Sequence, residues 1–207
     1  MRFATLLLFS LLIPFPAFAG ALEDGTAAMI RGDWPAAVKL LQPLAEQGNA
    51  QAQVDMGDMY MFGHGVKKDP AKALTWYRKA ADQGNAAAEL NVGRGYEAEG
   101  PNKDMPEAMK WILRAADQGY GPAQLALAGM YAHGDGIKKD DQEAYFRFLL
   151  FRKTVPEGIA DQGQFATIEK LYAGDPTPEQ RAAAKKRADE WKPIAPAPPL
   201  DLPAKAH

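Results

Sequence analysis

Residues 50–84 read AQAQVDMGDMYMFGHGVKKDPAKALTWYRKAADQG. The pattern returns as AAAELNVGRGYEAEGPNKDMPEAMKWILRAADQG at 86–119 and as GPAQLALAGMYAHGDGIKKDDQEAYFRFLLFRK at 121–153. The signature Gln47-Gly48-Asn49 recurs as Gln83-Gly84-Asn85, a step of 36, and as Gln118-Gly119-Tyr120, a step of 35. A fixed period of this length marks a solenoid in which each unit buries its apolar face against its neighbours. The one-residue difference falls in the loop between Tyr96 and Asp104, where an indel is tolerated.

Each unit reads as two helices. In the first, Ala52, Met56, Gly57 and Tyr60 share one face, and the same columns hold Ala88, Val92, Gly93 and Tyr96, then Ala123, Leu127, Ala128 and Tyr131. The small residues at 57, 93 and 128 let a neighbouring helix approach. Gly-rich loops follow at 63–69 and 134–140, whose glycines end the helix and whose Val66 and Ile137 are expected to tuck inward. Asp69, Asp104 and Asp140 stand where an N-cap is needed, with Pro70 at the first helical position. The second helix carries Ala73, Trp76, Tyr77 and Ala80, repeated as Ala108, Trp111, Ile112 and Ala115; in the third copy Arg147 stands in the Trp column. The repeated aromatic columns are read as packing between helices.

Outside the array, residues 20–49 read as a more divergent helix pair, with Pro43 expected to kink or loosen its second helix. Residues 154–192 read as C-terminal capping helices, near 161–173 and 177–191, with Thr177 as cap and Pro178 as first helical residue. Residues 193–207 hold five Pro and read as a Pro-rich disordered tail. Residues 1–19 read as a cleaved secretory signal: Arg2, the apolar run Phe3 to Ile13, then Ala17-Phe18-Ala19, with cleavage after Ala19. The expected location is therefore periplasmic or secreted, with no membrane span after signal removal. The fold class expected is all-α, about ten helices in antiparallel pairs, since period-2 strand runs are absent.

Composition narrows the function. With 24 Lys+Arg against 26 Asp+Glu the net charge is −2, which lacks the electrostatic footprint of a nucleic-acid binder. There is no Cys, and the only Ser is Ser10 in the expected leader, which removes Ser- and Cys-nucleophile chemistry, disulfides and thiolate metal sites from the mature chain. His64 and His133 sit two units apart and form no metal-ligand spacing; no metal site, cofactor or catalytic residue is assigned. Asp55, Asp58 and Glu97 are the carboxylates placed to approach one another, but they lack a defined pocket.

The columns A-x-A-x-x-x-x-G-x-x-Y-x-x-G-x-G-V-K-K-D-x-x-x-A-x-x-W-Y-x-K-A-A-x-Q-G resemble the Sel-one-like repeat, a relative of the tetratricopeptide repeat. The match is close over 50–153 and loose over 24–49, and unit two departs from it at Glu99-Gly100-Pro101-Asn102, which lacks the Gly-x-Gly. The resemblance implies a right-handed superhelical solenoid and a protein-protein interaction adaptor or regulator. It places the first helix of each hairpin on the concave side. Carried over by column, the expected partner-binding residues are Gln51, Asp58, Met61 and Phe62, then Arg94 and Glu97, then His133. The partner expected is another protein or peptide. Phe62 has a second reading, packing beneath the following loop. Two alternative functions stay open: binding of a small ligand or cell-wall fragment, and service as a non-catalytic subunit of an envelope enzyme complex.

Overall fold

The computed structural model describes residues 16–98, 103–156 and 162–194. Ten α-helices run through these residues: α1 Pro16–Ile30, α2 Trp34–Glu46, α3 Ala50–Phe62, α4 Pro70–Ala81, α5 Ala86–Glu97, α6 Met105–Asp117, α7 Gly121–His133, α8 Asp141–Thr154, α9 Gln162–Tyr172 and α10 Pro178–Glu190. Among the described residues there is no strand. The expected leader lies outside them up to residue 15, as do the unit-two loop at 99–102 and the tail from 195.

The caps explain the boundaries. The carboxylates of Asp33, Asp69, Asp104 and Asp140 accept the N–H three residues on, opening every second helix of the first four hairpins. Asn49 and Asn85 open α3 and α5 in the same way. Thr177 forms a reciprocal capping box with Gln180 at α10. Pro43 does not end α2. Its ring removes one ladder bond, yet the helix continues to Glu46 and the Gln47 N–H donates to the Pro43 carbonyl at 3.1 Å.

From α1 to α8 successive helices pack in chain order, each hairpin against the next, so the core is a row of side-chain clusters. Ala28, Leu41, Met56 and Trp76 join the first two hairpins; Val54, Tyr77, Val92 and Trp111 join the second and third; Leu90, Ile112 and Leu127 join the third and fourth. This is a right-handed solenoid of antiparallel helix pairs. The expected small columns carry the close approaches. A Cβ at Gly57 would overlap the Tyr77 ring, and one at Gly93 would lie 2.5 Å from Ile112 Cγ1 and 3.1 Å from the Ala108 carbonyl oxygen. Trp76, Tyr96 and Trp111 are buried, and Val66 and Ile137 pack against the core from their loops.

One repeated contact shows how far the stacking extends. Gly65, at φ +69°, lies so close to Trp34 that a Cβ would come within 2.9 Å of its carbonyl oxygen; Gly136 meets Met105 and Gly174 meets Asp141 in the same manner. Trp34, Met105 and Asp141 are the first residues of α2, α6 and α8. Gly174 thus occupies the place of the loop glycine between α9 and α10, but these two helices do not pair as the earlier ones do: α9 packs on α7 and α8, and α10 on α8. The last helix, α10, is held on α8 by Ala184 and Ala188 against Phe146 and Leu150, and by Arg187, which pairs with Glu143 and lies 3.8 Å above the Phe146 ring.

A buried polar column threads the first helices. Gln53 donates to the Ala45 carbonyl of the preceding hairpin at 3.1 Å and accepts from Gln83 at 2.8 Å. Gln124 donates to the Ala116 carbonyl at 2.5 Å and accepts from Arg147 at 3.3 Å. Between them the column holds Glu89, bound by Arg114 at 2.8 Å and Gln118 at 2.7 Å. Each amide adds a side-chain donor to a carbonyl in the last turn of the preceding second helix that already accepts a backbone N–H.

Candidate interaction surface

With one side of each first helix committed to the second helices, the positions at spacings of four, three and four residues on the other side are left to form a stripe. On α3 this stripe is Gln51, Asp55, Asp58 and Phe62; on α5 it is Ala87, Asn91, Arg94 and Ala98; on α7 it is Pro122, Ala126, Gly129 and His133. The α1 register follows from packing. Gly25 sits against Leu41 as Gly57 sits against Tyr77, which makes Glu23, Thr26 and Ile30 the counterparts of Asp55, Asp58 and Phe62. Ile30 is 83% exposed and Phe62 64%, so two neighbouring helices end in bare apolar side chains.

Phe62 does not pack beneath the loop. Its ring stands at the helix end, with its centroid 5.9 Å from that of His64, which in turn stacks on Trp34 at 4.1 Å with the planes 9° apart. Met61, expected to be a contact beside it, turns partly inward and packs on the core shared by the second and third hairpins. Gln51 is exposed and its amide donates to Asp55 Oδ1 at 2.9 Å. Asp58 is half-buried and accepts the Tyr77 hydroxyl at 2.5 Å. Arg94 is exposed; His133 is exposed and its Nδ1 lies 2.9 Å from the Gly129 carbonyl. The α7 stripe is partly occupied, because Tyr172 of α9 lies against Gly129.

The carboxylates divide into two groups. Burial pushes the Asp55 carboxyl up to about 6, against a lowering hydrogen bond from Gln51 and a raising repulsion from Asp58. Burial also raises Asp58, offset by the Tyr77 hydroxyl. Glu97 stands apart from this pair: burial raises it, Arg94 lowers it and Asp135 raises it again. The three acids expected to converge therefore form a pair on α3 and a separate group beside the third loop. Among the described residues no three His, Asp or Glu side chains come together in a metal-binding group. Two hollows, about 290 and 490 Å³, are lined by α8 with α10 and by the α9–α10 segment, both away from the α3 stripe.

Asp55, Asn91, Glu23, Thr26 and Ile30 are among the stripe residues that the sequence reading did not name as partner contacts. The signal for Asp55 was present in its column, where units two and three hold Asn91 and Ala126. The α1 residues were hidden by a shorter hairpin loop, which shifts the register from 36 to 32.

The family model of the Sel1 repeat matches the chain four times, over residues 20–49, 50–85, 86–120 and 121–146. The chain belongs to the Sel1 repeat family. Sel1 repeats are helical modules of protein-protein interaction, and the match takes in the hairpin at 20–49 as a repeat of its own. The crystal structure of a Sel1 repeat protein from Oxalobacter formigenes superposes with a TM-score of 0.61 at 28% identity, covering 82% of this chain and 70% of that one. Mouse protein sel-1 homolog 2 is 43% identical over 65 residues, 31% of this chain and 9% of that protein. The Arabidopsis thaliana ERAD-associated E3 ubiquitin-protein ligase component HRD3A is 33% identical over 85 residues, 40% of this chain and 12% of its own length. The chain thus spans about a tenth of the curated relatives it matches. Among the described residues no helix is long and apolar enough to cross a membrane.

Proposed function

We propose that this Sel1 repeat protein is a non-catalytic adaptor that holds a segment of a protein partner along the free face of its first helices, the inner face of the superhelix. The observation that carries this reading is Phe62. An aromatic ring 64% exposed at the end of a rigid helix, beside the His64–Trp34 stack, is the kind of anchor that dominates protein interfaces. Its column is apolar in the first hairpin as Ile30 but reads Ala98 and His133 in the later ones, so it does not serve the repeated packing. Arg94 and Glu97 on the next helix supply polar neighbours that set register. The HRD3A relative, a component of a ligase assembly by its name, supports an adaptor role. The leader at 1–19 adds the second half of the proposal: export, with the mature chain beginning at Gly20, and action in the periplasm or outside the cell.

The test is site-specific crosslinking in the producing cell. A photoreactive phenylalanine at position 62 is expected to give a discrete protein adduct that the same group at exposed Thr75 on α4 does not give. Identical adducts from both positions, or none from position 62, would overturn the groove. Recovery of the chain with Met1 intact in the cytoplasm would overturn export.

A further inference from the structure

The chain's own cations are distributed over its acids with one exception. Among the described residues, every other carboxylate that is buried or half-buried faces an Arg or Lys. Glu89 has Arg114, Glu97 has Arg94, Glu107 has Lys110, Asp117 and Glu143 have Arg147, Asp141 has Lys139, and Glu169 has Arg181. Asp55 and Asp58 have none. The groups that act on them are Gln51, Tyr77 and each other. Asp55 is only 6% exposed, and its Oδ2 has no hydrogen-bond partner. A carboxylate oxygen withdrawn from water and left without a donor forfeits its hydration with nothing in return. One such atom beside a second acid, on the free face of a helix, is a site built for a positive charge that arrives from outside.

We propose that Asp55 and Asp58 are the seat of a cationic side chain, a guanidinium or an ammonium, carried by the partner segment. The seat deepens the adaptor reading and rests on it. Gln51 is exposed and its neutral amide bonds only Oδ1, so rotation of this one flexible side chain opens Asp55 to a charged donor. Asp58 keeps Oδ1 on the Tyr77 hydroxyl and leaves its other oxygen for the same cation. Along α3 the seat and Phe62 lie seven residues apart at their extremes, about 10 Å at 1.5 Å per residue. An extended peptide covers that span in about three residues. The partner chemistry is thus a basic residue about three positions from an apolar one.

The experiment uses the full chain and a flexible dodecapeptide of Gly, Ala and Ser. The peptide carries a fluorescent label, one central Phe and an Arg three residues to either side. Matched peptides replace both Arg with Lys, with citrulline or with Glu, and affinity is read by anisotropy. A cationic peptide is expected to bind about tenfold or more tightly than the citrulline and Glu peptides, as a charge-assisted hydrogen bond would give. The ratio of the Arg to the Lys peptide tells guanidinium from ammonium. Asp55→Asn with Asp58→Asn should bring all four peptides within about twofold of one another while helicity is kept and melting is not lowered. If the pair fails to fold, Asp58→Asn alone carries the test at its half-exposed position. Equal binding of the citrulline peptide, or charge discrimination that survives in the folded variant, overturns the seat. Phe62→Asp separates the two readings: if it abolishes binding of peptides that show no charge preference, the groove stands and the cation seat falls. Binding by none of the four overturns both.

Discussion

The second and third hairpins share a backbone plan and differ in where they keep their charge. In the second, the buried polar column is neutral at Gln53 and the acids, Asp55 and Asp58, stand on the free face without a cation. In the third, the acid is inside the column as Glu89 and is locked by Arg114, while the free face reads Asn91 and Arg94. The packing columns are nearly the same in both: Ala52 and Ala88, Gly57 and Gly93, Trp76 and Trp111, Ala80 and Ala115 are buried. A charge enclosed with its partner inside one hairpin serves the fold. A charge without a cation on the first-helix face has no internal counter-charge and is free to serve recognition.

The sharpest way to break this comparison is to remove the internal cation of the third hairpin. Arg114→Ala strands the fully buried Glu89 with only the Gln118 amide and strips the guanidinium from its place 4.9 Å over the Trp111 ring. Loss of one partner of a buried pair costs about 3–5 kcal/mol. Chemical denaturation should show that loss. A variant within 1 kcal/mol of the parent would mean that Glu89 takes up a proton and needs no cation.

The two close-packing glycines come next. Gly57→Leu drives a side chain into the rigid Tyr77 ring, and Gly93→Leu drives one into Ile112 and the Ala108 carbonyl. Overpacking of this kind costs about 1–3 kcal/mol and more where backbone must shift. Gly93 is expected to suffer at least as much, because a carbonyl in the helix ladder cannot swing aside as a side chain does. Thermal melting of both variants checks the order, and parental melting in both would show that these columns are not the packed ones.

Much of this was written in the residue order. The 36/35 step gave the hairpins, the Asp and Thr caps gave their starts, and the aromatic columns gave the core, because each is a local requirement repeated at fixed spacing. Pro43 is carried inside α2 for a physical reason: only three residues remain in the helix after it, so the missing ladder bond lies near a terminus. The last two helices were legible as helices but not in where they dock, since Gly174 marks the loop between them only through its contact with Asp141. The face was half legible. Phe62 stood out as a column deviation, whereas the isolation of Asp55 and Asp58 depends on which cations reach them, and no spacing rule encodes that.

The isolated acid leads to a prediction with a pH signature. Asp55 is raised from 3.8 to about 6 in the folded chain, so the folded state holds its proton more tightly than the unfolded state does. Stability associated with the protonated carboxyl is present below about pH 4 and is lost as pH rises through about 6. Asp55→Asn removes the group. The variant should therefore match the parent near pH 4 and exceed it by about 1–3 kcal/mol at pH 7.5. Denaturation at a series of pH values reads this directly. A constant difference across that range would place the proton uptake elsewhere.

The smallest expected effect is at the residue with the largest proposed role. Phe62→Asp should change stability by less than about 1 kcal/mol, near the range for surface substitutions away from packed features. Three observations set that expectation. The ring is 64% exposed and its aromatic neighbour is His64 at 5.9 Å in a tilted pose, so little apolar burial is lost. The helix ends by a device that does not use the side chain: Gly63 takes a left-handed conformation and its N–H donates to the Met59 carbonyl at 2.8 Å. The His64–Trp34 stack, which ties the loop to α2, is independent of Phe62. A carboxylate at the last turn of α3 does meet the negative end of the helix dipole, an exposed term of about 0.3–1 kcal/mol screened by salt. Phe62→Asn removes that charge and should melt with the parent. If Phe62→Asn also loses cooperative unfolding, the ring is part of the fold and the recognition role passes to the acids of α3.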